Sequence, residues 1–155
     1  MYFRDLDTFS YHSGPFHEEN WQVPLKAIGW LEHPHSFPTG ALPDLVLGRL
    51  ITLVDRVRQT FPGHLFRGTK TCSICKASGK KSPGPIWSQE NLWVPGHGEV
   101  FLAPGGIVHY IQAHAYLPPQ SFSEAVLACP DCDIPAYLEI LRIANKGTVA
   151  PILPG

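Results

Sequence analysis

Apolar residues recur along this chain in short runs cut by proline and glycine, with one long helical stripe among them. The stripe is Leu47, Leu50, Ile51, Val54 and Val57, spaced i, i+3, i+4, i+7 and i+10, while Arg49, Asp55 and Arg56 lie away from it. That period predicts an amphipathic core helix over 43–60, opened by Pro43 at a first-turn position and by Asp44, whose charge complements the helix dipole. Residues 2–9 and 21–31 read as extended and pair as antiparallel strands, the second carrying Trp21, Val23, Leu25, Ile28 and Trp30. Two more strands, from Ile86-Trp87 through Trp93-Val94 and over Glu99–Leu102, flank Pro95-Gly96-His97-Gly98, which has the glycine a hairpin connection needs.

Three shorter helices complete the pattern. One runs from Ile107 to about Leu117 and is stopped by Pro118-Pro119. A second covers 120–128, with Phe122, Ala125 and Val126 on one face. The third covers 135–144, opened by Pro135, with Tyr137, Ile140, Leu141 and Ala144 on one face. The fold class expected is α+β: a mostly antiparallel sheet with three to four helices in a single domain over 1–145, followed by a tail over 146–155. Trp21, Trp30, Trp87 and Trp93 fall in strand-like segments and belong to its core.

The 155 residues suffice for one domain with a real core, and 44% of them are hydrophobic. Sixteen prolines and 14 glycines, against only 16% charged residues, make the chain rich in turns. A net charge of −1 provides no field to attract a phosphate backbone, so a nucleic-acid partner is disfavoured. One local exception is the basic neighbourhood of Arg67, Lys70, Lys76, Lys80 and Lys81, whose simplest reading is a solvated loop. No apolar run reaches membrane-spanning length, and the start of the chain is too polar and acidic for a signal peptide. A cytoplasmic location follows as the expectation, and in a reducing compartment cysteine pairs serve metal or redox chemistry rather than disulfides.

The chemistry concentrates in Thr71-Cys72-Ser73-Ile74-Cys75-Lys76, where a C-x-x-C turn sets two thiolates a metal's bite apart. Zinc is the expected ion. Two pairs compete to complete a tetrahedral site. His109 and His114 have workable spacing, although i and i+5 lie about 140° apart on an ideal helix and converge only if the helix tightens or ends there. Cys129 and Cys132 form a second C-x-x-C, a better chelate in isolation but far along the chain from the first. A thioredoxin-like dithiol wants its C-x-x-C opening a helix, and Lys76-Ala77-Ser78-Gly79-Lys80 is a poor helix start. His12, His17, His33 and His35 gather near the N-terminal loops and read as surface histidines.

Gly29-Trp30-Leu31, Phe37-Pro38-Thr39-Gly40, the first C-x-x-C, and the run His109-Tyr110-Ile111 with His114, Tyr116, Pro118, Pro119, Phe122, Ala125 and Val126 resemble a family of small bacterial cytosolic proteins. The resemblance covers most of residues 20–140. It implies a zinc site of Cys72, Cys75, His109 and His114, and it makes the pair Cys129 and Cys132 a departure. No activity comes with it, although proteins of this size and type often accompany polymorphic toxins as immunity partners.

Glu99, Glu124 and His97 are available to handle protons beside a catalytic zinc, but none sits in an H-E-x-x-H or deaminase motif. No nucleophile elbow, P-loop or dinucleotide fingerprint is present. The function expected is therefore that of a zinc-binding protein-interaction domain, with an immunity or antitoxin-like role as its specific form. The alternatives are a zinc-dependent enzyme, a nucleic-acid-binding zinc module and a redox dithiol protein.

Overall fold

The computed structural model describes residues 1–10, 17–60, 71–81 and 91–149. The expected turn at 11–16, extended segment at 64–68, strand start at Ile86-Trp87, and residues Arg67, Lys70, His12 and 150–155 of the tail lie outside them. Among the described residues the α+β expectation holds. Strands β1 (Leu25–Ala27), β2 (Asn91–Pro95) and β3 (Val100–Pro104) combine with helices α1 (Asp44–Thr60), α2 (Ser73–Ala77), α3 (Ile107–His114), α4 (Gln120–Ala128) and α5 (Pro135–Ala144). None of these helices is long and apolar enough to cross a membrane.

The sheet order is β1-β3-β2. β2 and β3 form the expected antiparallel hairpin, with Pro95 opposite Val100 and Trp93 opposite Leu102. β1 runs parallel to β3 on its other side, Leu25 opposite Val100. The N-terminal segment then adds antiparallel pairing to β1: Thr8 bridges Lys26, Phe9 N–H donates to the Leu25 carbonyl at 2.7 Å and Ala27 N–H to the Asp7 carbonyl at 2.9 Å. Every residue of β2 and β3 is buried, so these strands read as continuous apolar runs instead of alternating ones. Trp21, Trp30 and Trp93 all belong to the core.

Helix α1 packs against β2, α3 and α4. Its buried face is Val46, Leu50, Leu53, Val54 and Val57, rotated slightly from the expected stripe, with Leu47 and Ile51 half-buried. Arg49 links α1 to the α4–α5 connection, donating to Asp131 Oδ1 and to the Cys129 carbonyl, both at 2.6 Å. Helix α5 packs on β2 through Tyr137, whose hydroxyl donates to the Trp93 carbonyl at 2.7 Å. Ile140, expected on the core face of α5, is exposed. The stripe Tyr137, Leu141 and Ala144 suffices to face β2, and Ile140 falls beside it.

Two contacts fix where α3 lies. Gly29, at φ +74°, sits against Ile107 so closely that a Cβ would meet its side chain at 3.0 Å. The Asp5 carboxylate accepts from Gly29 N–H at 3.0 Å and from the Tyr116 hydroxyl at 2.8 Å, tying the N-terminal segment to the residues just beyond α3. Burial pushes the Asp5 carboxyl above its ordinary value, outweighing the two donors that pull it down.

Gly48 stands at an exposed position inside α1 with open space where a Cβ would go. Gly48→Ala should therefore raise unfolding stability by about 0.5–1 kcal/mol in urea titrations, through helix propensity and unfolded-state entropy alone. For Asp5 the raised folded-state value means that protonation favours the fold, so this group's contribution is complete at low pH and fades as pH rises through that value. Relative to Asp5→Asn, which keeps an acceptor for Gly29 and a polar partner for Tyr116, the wild type should gain stability as pH falls from 7 toward 4. Asp5→Ala should lose about 1–3 kcal/mol at neutral pH by orphaning a buried donor.

Candidate metal centre

The first C-x-x-C is not a bare turn but the start of α2. Cys72 is its N-cap, with Sγ accepting from Cys75 N–H at 3.4 Å, so one sulfur both caps the helix and fixes its neighbour. The stretch read as a poor helix start is a helix stop. Gly79, at φ +74°, donates to the Lys76 carbonyl at 3.2 Å, and Lys80 N–H donates to the Cys75 carbonyl at 2.9 Å, the two bonds of a Schellman ending. Cys72 and Cys75 are buried, while Lys76, Lys80 and Lys81 are exposed around them.

The histidines come from α3, which ends three residues sooner than the pattern predicted. Ala115 takes the left-handed conformation at φ 53°, and the N–H groups of both Ala115 and Tyr116 point to the Tyr110 carbonyl. A bond spanning five residues widens the final turn in the manner of a π-bulge. Residues i and i+5 then stand about one turn apart, which is how the His109 and His114 rings approach with centroids 5.2 Å apart. The two rings converge because the helix end widens, where a tightened end was the alternative.

These two halves meet. The ligating atoms of Cys72, Cys75, His109 and His114 all lie within 4.8 Å of one another. Cys72 Sγ is 3.4 Å from His114 Nε2, and Cys75 Sγ is 3.3 Å from His114 Nε2 and 3.5 Å from His109 Nε2. Tetrahedral zinc, with bonds of about 2.3 Å to sulfur and about 2.0 Å to nitrogen, has S–N edges of about 3.5 Å. The donor set and its spacing thus fit a tetrahedral ion.

The electrostatics suit ligation. Burial lowers the His109 and His114 imidazoles, helped by their mutual repulsion at His109 and by Lys80 at His114, so neutral rings are favoured. Burial raises the Cys75 thiol, as does Cys72 beside it, with Lys80 opposing. A metal-free Cys75 therefore keeps its proton at neutral pH, and a cation must displace it.

The loop over 31–40 spans both halves. His33 N–H donates to Ser73 Oγ at 2.9 Å on the cysteine side. On the histidine side the Leu31 carbonyl accepts from the Tyr110 hydroxyl at 3.4 Å, Thr39 bridges Tyr116, and Gly40 N–H donates to the Ala115 carbonyl at 3.0 Å. Ser73, Leu31 and Gly40 carry no metal-ligand signature, and spacing alone does not single them out.

The structure does not bring Cys129 and Cys132 into this cluster. Both are buried beside α1, where desolvation pushes Cys129 up to about 12 and also raises Cys132. His97, Glu99 and Glu124 line a groove to which none of the four cluster residues contributes. His33 and His35 are exposed, and His35 stacks on Tyr2 at 3.7 Å.

A family model described as a domain of unknown function, DUF7919, matches residues 1–127. The chain belongs to the DUF7919 family. All four clustered residues lie inside the DUF7919 match, whereas Cys129, Cys132 and α5 lie beyond it. No curated protein and no solved structure shows significant similarity to the chain.

Because metal binding must expel at least the Cys75 proton, apparent zinc affinity should rise about tenfold per pH unit from that thiol alone between pH 6.5 and 8. Competition with a chromophoric chelator across that range measures it. An affinity independent of pH would remove Cys75 from the ligand set.

Proposed function

We propose that this chain is a zinc-binding domain whose ion is structural, and that the domain serves to bind another protein. The observation that carries the metal is the convergence of four nitrogen and sulfur donors from two separate segments. Two thiolates and two imidazoles in tetrahedral spacing are the ligands that zinc prefers, and hard cations such as magnesium and calcium want oxygen. With Cys72, Cys75, His109 and His114 all engaged, zinc has no open position for substrate or water. That supports a structural ion over a catalytic one.

The same geometry disfavours the other readings. The C-x-x-C opens a helix, as a redox dithiol wants, but two histidine nitrogens lie 3.3–3.5 Å from its sulfurs, which is the donor set of a metal site. The exposed Lys76, Lys80 and Lys81 are too few to make a phosphate-tracking stripe. Protein binding is supported by the exposed apolar side chains of Ile140 and Ile143 on α5, which line one groove. The resemblance alone carries the narrower form of this reading, an immunity or antitoxin-like domain with a toxin as its partner. Stoichiometric co-purification with one protein, whose toxicity the chain suppresses, is the test of that form.

Elemental analysis of the purified chain should give about one zinc per molecule. Zinc should be lost in Cys72→Ser and in His109→Ala/His114→Ala and kept in Cys129→Ser/Cys132→Ser. Free zinc a thousandfold above its dissociation constant should stabilise the fold by about 4 kcal/mol, read as a rise in denaturation midpoint that a chelator reverses. Metal-free wild type, or loss confined to the Cys129→Ser/Cys132→Ser variant, would sink the assignment.

A further inference from the structure

Away from the metal centre, the β2–β3 hairpin loop, α4 and α5 enclose a groove of about 360 Å³. Its floor is apolar: Ala125 and Ala128 from α4 face Ile140, Ile143 and Ala144 from α5. Ile140 and Ile143 remain 38% and 62% exposed, although a residue of this kind normally gains by burial. The volume is at the lower end for a ligand site, which suits one or two inserted side chains better than a whole small molecule.

Charge gives the groove a direction. Glu99 from the hairpin and Glu124 from α4 line it together with His97, and among the described residues no lysine or arginine does. Neither carboxylate has a cationic partner among the described residues: Glu124 accepts only from the neutral Gln120 amide, at 3.3 Å, and Glu99 enters no ion pair. The nearby cation on α5, Arg142, is already held by Glu139 at 2.5 Å. Elsewhere the acids facing α1 are matched, Asp131 by Arg49 and Asp133 by Arg56. An apolar trough flanked by two unmatched negative charges is complementary to an apolar side chain flanked by positive ones.

We infer that this groove docks a cationic amphipathic segment of a partner protein, inserting an aliphatic anchor between Ile140 and Ile143 and placing lysine or arginine beside Glu99 and Glu124. The inference rests on the protein-binding reading above and deepens it by naming the surface and the chemistry of the partner. A helix with an apolar stripe and basic flanks is the simplest such segment. Steering by the two carboxylates makes association faster at low salt and slower at high salt.

The probe is a labelled amphipathic peptide with leucine at i, i+3, i+4 and i+7 and lysine elsewhere, compared with a twin carrying glutamate in place of lysine. The zinc-loaded full chain should bind the lysine peptide at least about tenfold more tightly than its twin, with the advantage shrinking at high salt. Backbone amide shifts should move at 96–99, 121–128 and 140–144. Glu99→Lys/Glu124→Lys and, separately, Ile143→Glu should each weaken binding about tenfold or more while metal content and thermal midpoint stay unchanged. Equal binding of the twin, or shifts centred outside the groove, would overturn the inference. So would self-association abolished by Ile143→Glu, which makes a second copy the occupant, or groove shifts on removing 150–155, which makes the chain's own end the occupant. A natural partner that still binds the groove variants would overturn the groove while leaving the protein-binding reading in place.

Discussion

Two sulfurs and two imidazole nitrogens within 4.8 Å of one another impose a condition that the surrounding chain has to meet. Burial raises the Cys75 thiol, which therefore holds its proton, and lowers the two imidazoles, which favours their neutral form. A divalent cation held there would replace the thiol protons with a charge that all four donors share. Helix α2 shows how much depends on it. Five residues are too few to hold a helix alone in water, so α2 depends on its cap, its Schellman ending and whatever its cysteines bind.

The motifs scattered through the first 120 residues become one piece of machinery once that condition is recognised. Gly29 lets the chain lie against Ile107 at the start of α3, and Leu31 receives the Tyr110 hydroxyl from its middle. Pro38, Thr39 and Gly40 hold Leu117, Tyr116 and Ala115 in turn, just past His114. His33 reaches Ser73 on the other side. A loop with little regular structure thus joins the cysteine-bearing and histidine-bearing helices through hydrogen bonds from its backbone to their side chains and end residues, each of modest net strength and together directional. Asp5 completes the frame from the N-terminal segment through Tyr116, with a partly buried carboxylate as the cost.

Around α5 the chain is built differently. Helix α5 packs onto β2 by Tyr137, Leu141 and Ala144, and Arg49 anchors the preceding turn. Cys129 and Cys132 sit in that turn as buried thiols, fitting the small apolar role that free cysteine often fills. The metal centre and the groove therefore occupy separate parts of the chain, one holding loops in place and the other presenting an apolar surface edged with acid.

Local periodicity determined a good part of this architecture. The extents of α1, α4 and α5 and the β2–β3 hairpin follow from apolar spacing and from where proline and glycine interrupt it, whereas the strands expected over 2–9 and 21–31 shrink to one antiparallel bridge, Thr8 to Lys26, beside the short β1. Those signals act within a few residues, so the sequence carries them without reference to the rest of the chain. The C-x-x-C likewise set two sulfurs within a metal's bite of each other by itself, since that spacing is a property of one turn. What sequence left open was which second pair would join it, because both candidates had acceptable local chemistry. Only the tertiary structure decided that His109 and His114 meet Cys72 and Cys75. The widened end of α3 brings the two rings onto one side, and the loop over 31–40 carries them to α2. The parallel placement of β1 beside β3 and the turning of Ile140 away from the core were also beyond local reading. Each depends on which distant surface an element packs against, and no spacing along the chain encodes that.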